Sequence, residues 1–216
     1  SADCYYIYAL TMGGRTQTGL AACASIDDYT NGVILQHEKT LEAKEQDRIR
    51  HIDACSAQTG PIFLTHRPDA GLHQITERIK NRDSLYDFTS PDGVRHQVWK
   101  IDDPGDIGKI ARIYSGISHL YIADGHHRAA SAVKVGLSRR AADPDFSGTE
   151  EYNFFLCVLF PSDELKIYGY DRVVKDKNGY TFSSFLDKIK DSFEITRIGA
   201  GPYRPEAKGV FGIYSE

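Results

Sequence analysis

The stretch His119-Leu-Tyr-Ile-Ala-Asp-Gly-His-His-Arg-Ala-Ala-Ser-Ala132 leaves few choices of local structure. Leu120 to Ala123 is a short apolar run suited to a buried strand, and Asp124-Gly125 is a turn signal. From His126 an alanine-rich segment of helical composition runs towards Gly136. The sequence therefore predicts strand, tight turn and helix in succession, with two histidines and an arginine in the first helical turn. The leading N–H groups of a helix lack intrahelical partners, and the helix dipole adds partial positive charge there. With His126, His127 and Arg128 beside them they form a candidate seat for a phosphate or carboxylate. Asp124 is out of place in pure anion binding. Beside a phosphate it would hold a magnesium ion, take a proton or orient a donor. The competing reading is structural, because Asp is a good N-cap and an Asp-Gly turn capping a helix is common. That reading leaves the His-His-Arg run unexplained. A zinc site fits poorly: adjacent helical residues diverge, and no Cys or second His pair stands nearby at ligand spacing.

A chain of 216 residues suits one large domain or two small ones, with possible boundary composition near 143–151. Its 41% hydrophobic and 26% charged residues are ordinary for a soluble globular protein. A formal charge of -4 carries no polyanion-binding signature, so nucleic acid is not expected as a partner. The sequence contains no apolar run long enough to span a bilayer and no signal-peptide pattern. Cys4, Cys23, Cys55 and Cys157 are scattered without a C-x-x-C, which points to reduced thiols in a cytoplasmic protein. The chain enters a strand-like segment almost at once and ends on Val210-Phe-Gly-Ile-Tyr214, a strand pattern with no partner after it. A fragment of a longer protein is therefore the expectation.

Along the chain, Tyr5–Leu10 and Thr18–Ile26 pattern as two strands joined around Gly13-Gly14, a hairpin. No G-x-x-x-x-G-K-[ST] occurs, so the glycine pair is not a phosphate loop. Residues 27–32 form a turn cluster, and Val33-Ile34-Leu35 a short strand. From Thr40 to about Cys55 the composition is helical, with Leu41, Glu45, Ile49 and Ile52 on one side and Lys44, Arg48 and His51 on a neighbouring face. Such charges usually line a solvated face. His37-Glu38 is not the zinc-protease motif, because position 41 is Leu; Glu38 at the mouth of a helix serves as a cap or a general base. Strands are expected at 60–64, 94–101, 152–160 and 165–170. Helices are expected at 73–82, 106–116 and 181–192. Strands and helices mix without a regular βαβ rhythm, which favours α+β: a mixed sheet with flanking helices.

Several stretches together resemble the DUF1015 family. They are Asp27-Asp-Tyr, His37-Glu38-Lys-Thr40, Lys44-Glu-Gln-Asp-Arg48 with His51, Gly60-Pro-Ile-Phe, Tyr121-Ile-Ala-Asp-Gly-His-His-Arg128, Tyr170-Asp-Arg-Val-Val-Lys-Asp176 and the final Gly-Val-Phe-Gly-Ile-Tyr. The match runs in order along nearly the whole chain. That family is in turn distantly similar to ParB/sulfiredoxin-like proteins, whose nucleotide phosphates sit on a Gly-x-x-Arg turn at a helix start; Gly125-His-His-Arg128 fits this short pattern. Kinases acting on free L-serine in that superfamily use a comparable turn with ATP or ADP. The resemblance thus implies a nucleotide-dependent kinase of a small hydroxyl metabolite, with ATP or ADP and Mg2+. Gly125, His126, His127 and Arg128 would hold phosphates, with Lys44, Arg48 and His51 as phosphate neighbours. Asp124 would serve the metal or the hydroxyl, and Glu38 would be the base. A free amino acid's carboxylate would want Arg48 or Arg172. The alternatives are a ParB-like nucleotide switch or partner-binding module without catalysis, and a scaffold for a site completed elsewhere. Sulfiredoxin-like redox chemistry needs a cysteine in the turn, where this chain has His126 and His127.

Overall fold

The computed structural model describes residues 3–169, 171–175, 178–199, 201 and 203–215. The chain divides into two units, Ser1–Lys166 and Ile167–Glu216; the 143–151 segment falls inside the first. The strands are β1 (Tyr5–Met12), β2 (Arg15–Ser25), β3 (Ile34–Leu35), β4 (Ile62–His66), β5 (Tyr86–Thr89), β6 (Arg95–Ile101), β7 (Leu120–Asp124) and β8 (Phe154–Pro161). They join in one mixed sheet ordered β3-β7-β4-β8-β2-β1-β6-β5. The β3–β7 and β4–β8 pairs are parallel and the others antiparallel. The α+β expectation holds.

One buried row organises the first unit. Ile122, Leu64, Leu159, Leu20, Ile7 and Trp99 sit in mutual register across six strands. Each is at most 8% exposed. Alternation along a strand sends neighbouring residues to opposite faces, so this row defines the core face. Five helices lie in the same unit: α1 (Ile26–Thr30), α2 (Glu42–Cys55), α3 (Ala70–Lys80), α4 (Pro104–Ser115) and α5 (His126–Ala142). All five send apolar side chains onto that row. Ile26, Ile52, Ala129, Ala132 and Val133 cover one half, and Ile75, Ile79 and Ile110 the other. Asp69 and Asp103 cap α3 and α4 by accepting from the N–H groups of Leu72 and Asp106.

The hairpin turns on Gly13 and Gly14, both at positive φ. Close packing fixes two other glycines. A Cβ at Gly19 would lie 2.7 Å from Val158 Cγ1, and one at Gly136 would lie 2.4 Å from the Tyr152 carbonyl. The 27–32 segment departs from a simple turn cluster, because Ser25 accepts from the Asp27 N–H and nucleates α1 over Ile26–Thr30. Arg140 then grips Asp27 through two hydrogen bonds, 2.6 and 2.9 Å long, tying α1 to α5.

The second unit carries one helix among its described residues, α6 (Phe182–Ile189), N-capped by Thr181. Phe182, Phe185, Leu186 and Ile189 share its half-buried side. The rings of Phe193 and Phe211 meet edge to face at 6.0 Å, and Arg204 donates to the Ile167 carbonyl at 2.7 Å. The expected strand at 165–170 does not form over Leu165–Gly169, and Tyr170 lies outside the described residues. Residues 210–214 are likewise not a strand. An alternating pattern becomes a strand only when a neighbour supplies the ladder, and neither segment has one among the described residues. Of the 170–176 stretch, Tyr170 and Asp176 lie outside the described residues.

Candidate functional site

Strand direction gathers three connections at one end of the sheet. Leu35 and Tyr121 are register partners in parallel strands, so the chain leaves β3 and β7 at the same end. Phe63 is opposite Asp124 in the antiparallel β4–β7 pair, so the chain enters β4 there as well. Residues 36–41, the Asp124-Gly125 turn and the Gln58-Thr59-Gly60-Pro61 segment thus come together, although they are distant in sequence.

At the turn, Gly125 is itself the N-cap of α5, with φ +94° and no side-chain cap hydrogen bond. The structural alternative for Asp124, a capping carboxylate, is therefore not what forms. Asp124 Oδ2 instead accepts from Arg128 Nη2 at 2.9 Å, one helical turn on. The same Nη2 lies 3.3 Å from the Pro61 carbonyl. A Cβ at Gly125 would approach Arg128 Nη2 to 2.9 Å, so the glycine permits both the left-handed turn and the guanidinium that folds back over it. Arg128 Nε is buried and has no acceptor among the described residues.

His126 follows, 5% exposed. Its Nδ1 is 3.8 Å from Glu38 Oε2, and its ring meets that of His37 edge to face at 4.4 Å. Burial and then the neighbouring His37 push its pKa below the usual imidazole value, while Glu38 and Asp124 pull it upward. Its Nε2 is buried with no hydrogen-bond partner among the described residues, and the same holds for His127 Nδ1. Unsatisfied buried nitrogens are costly, and these gather at an uncapped helix start, where the dipole favours negative charge.

Helix α2 supplies the second wall. Glu45, 3% exposed, forms an ion pair with Lys134 of α5, and Ser131 of α5 donates to the Glu45 carbonyl at 3.3 Å. Hydrogen bonds from Lys134 and Thr40 hold the Glu45 carboxyl below the usual carboxylate range, and His127 adds to this. Beyond that clamp, Arg48, His51, Gln58, Thr59, Gly60 and Arg128 line one shallow depression. Gln58 is fixed there by bonds to the Phe154 carbonyl and the Leu156 N–H, both 3.1 Å. Arg48 forms no ion pair among the described residues. Three cation-capable groups thus share one depression, and among the described residues only Arg128 has a carboxylate partner.

Of the residues singled out in the sequence, Glu38 lies beside His126, while Arg48 and His51 share a depression with Arg128. Lys44 is exposed and does not line the depression. Arg172 belongs to the second unit. Four participants were given no role from the sequence: His37, Thr40, Glu45 and Lys134. Glu45 patterns with the apolar side of α2, and a charge on such a side is the one hint that a buried partner awaits it. Among the described residues no three His, Cys, Asp or Glu side chains gather as a metal cluster. Asp124 is the one acidic group in the turn itself, and its side chain is 72% exposed.

A family model described as "Protein of unknown function (DUF1015)" matches residues 1–216. No curated protein and no solved structure matches the chain.

Proposed function

We propose that this chain, which belongs to the DUF1015 family, is a phosphotransferase. It would take a phosphoryl group from ATP or ADP to a small hydroxyl metabolite, with free L-serine the first acceptor to try. One observation carries the reading. A buried imidazole whose Nε2 has no partner among the described residues stands at the uncapped start of α5, two residues before Arg128, with the Glu38 carboxylate 3.8 Å from its Nδ1.

Phosphoryl transfer needs alignment and neutralised charge more than covalent help from the protein. The N–H groups of the first turn of α5, with His126, His127 and Arg128, would hold phosphate oxygens. Arg48 and His51 would face the same anion or the acceptor's carboxylate. Lys44, exposed on α2, would contribute only long-range charge. Glu38 is 63% exposed and so accessible to an acceptor hydroxyl, whose proton it would take. A lone carboxylate suits Mg2+, which completes its shell from phosphate oxygens and water, so Asp124 would be the protein's contact to the metal. The likeness of Gly125-His-His-Arg128 to the Gly-x-x-Arg turn of ParB/sulfiredoxin-like proteins supports the nucleotide.

Calorimetry with ATP and ADP in the presence of Mg2+, followed by a screen of hydroxyl amino acids for phosphate transfer, tests this. Transfer that disappears in Glu38→Gln is the expected result. Binding without transfer to any acceptor would make the protein a nucleotide switch. No binding would return the turn to structure alone.

A further inference from the structure

Arg128 is the cation closest to the turn, and it already has an anion. Asp124 holds Nη2 at 2.9 Å, while Nε is buried without an acceptor among the described residues. A phosphate that used the rest of this guanidinium would come up beside the Asp124 carboxylate. Because Asp124 already offsets the Arg128 charge, a metal-free phosphate meets little net positive charge there, and the two anions repel across the guanidinium unless a further cation joins them. Asp124 has no second cation to absorb that cost, because its one ion pair among the described residues is to Arg128. Arg48 and His51 line the same depression as Arg128.

We propose that Asp124 makes this site selective for metal-bound phosphate: it keeps Arg128 from metal-free anions and becomes compatible with a phosphate only when a divalent cation arrives with it. This rests on the nucleotide reading above and adds to it a specificity determinant. The carboxylate then has two roles at one position. Without ligand it orients Arg128 across Gly125, and with ligand it faces the cation. The open N-terminus of α5 remains available in both cases, since no side chain caps it.

The test is calorimetry on the full chain with inorganic pyrophosphate and with ADP, each with excess Mg2+ or with EDTA. Wild type, Asp124→Asn and Arg128→Gln are compared, and circular dichroism establishes that each is folded. Wild type should bind at least about tenfold more weakly in EDTA. Asp124→Asn should bind metal-free pyrophosphate about tenfold more tightly than wild type and lose most of the Mg2+ dependence, since removing the like charge removes the penalty. Arg128→Gln should weaken binding with and without metal. If Asp124→Asn binds metal-free pyrophosphate no better than wild type, or keeps the full Mg2+ dependence, the selectivity role is overturned while the nucleotide site stands. If neither ligand binds wild type or Asp124→Asn under any condition, both readings fall together.

Discussion

Glu38 Oε2 stands 3.8 Å from Nδ1 of His126, bringing the end of β3 onto the first turn of α5. The contact follows from the parallel pairing of β3 with β7, which sends both chains out at one end of the sheet. It places an exposed carboxylate beside a buried imidazole, and the two differ in kind. Glu38 is accessible enough to meet a substrate, whereas His126 is held in place by its surroundings.

Replacing Glu38 with Gln should therefore separate chemistry from binding. Phosphate transfer should fall by about 10²–10⁴-fold, the usual worth of a positioned general base. Nucleotide affinity, measured by calorimetry, should change by no more than about twofold, since the amide keeps the shape beside His126 and the phosphate contacts lie elsewhere. An equal loss of affinity would make Glu38 a binding residue instead.

Gly125→Ala tests the turn. Its φ of +94° lies in the left-handed region, and the added methyl would meet Arg128 Nη2 at 2.9 Å. Backbone strain alone should cost about 1–2 kcal/mol, read as a lower midpoint in urea unfolding. Anion affinity should drop as well, because the guanidinium must leave its place over the turn.

Glu45 joins α2 to α5, and its loss should be felt in both stability and binding. Glu45→Ala leaves Lys134 without its buried partner. Lys134 is 45% exposed and can recover water, so the cost should be about 1–3 kcal/mol, below that of breaking a fully buried pair. The affinity for pyrophosphate should fall too, as α2 carries Arg48 and His51. Unchanged affinity in a destabilised but folded variant would show that the α2 wall is not part of the site.

Acid stability has a separate origin in the loop before β8. The Ser147 hydroxyl and the N–H groups of Ser147 and Gly148 all donate to Glu150, holding its carboxyl at about 2. A carboxyl whose pKa is depressed by folding stabilises the fold above its unfolded value, near ~4.3, and loses that contribution as pH falls through the folded value. The melting temperature of wild type should exceed that of Glu150→Gln at pH 7. The gap should close between about pH 4.3 and 2, the window set by the unfolded and folded values. A gap that persists unchanged at low pH would assign the difference to packing.

Much of this was legible in local sequence. The Leu120–Ala123 run, the Asp124-Gly125 turn and the helix from His126 all form within a residue or two of expectation. Their signals are apolar run length, a glycine at a left-handed position and alanine-rich composition, each a property of neighbouring residues. The role of Asp124 was not legible, because capping and pairing with Arg128 are equally compatible with its place before a glycine. The expected strands over 165–169 and 210–214 failed for a related reason. Alternation describes a willing strand, and only a neighbour makes it one.

The sequence by itself determined most of the elements of this protein, the α+β mixture and the family to which it belongs, since these depend on near neighbours and on the order of motifs. Tertiary structure alone decided that Glu38 faces His126, that Glu45 meets Lys134, and that Arg48 and His51 share a depression with Arg128. Those meetings are set by sheet order and strand register. Strand pairing joins residues far apart in the chain, and its energy comes from burying one continuous apolar row, which no short window of sequence contains.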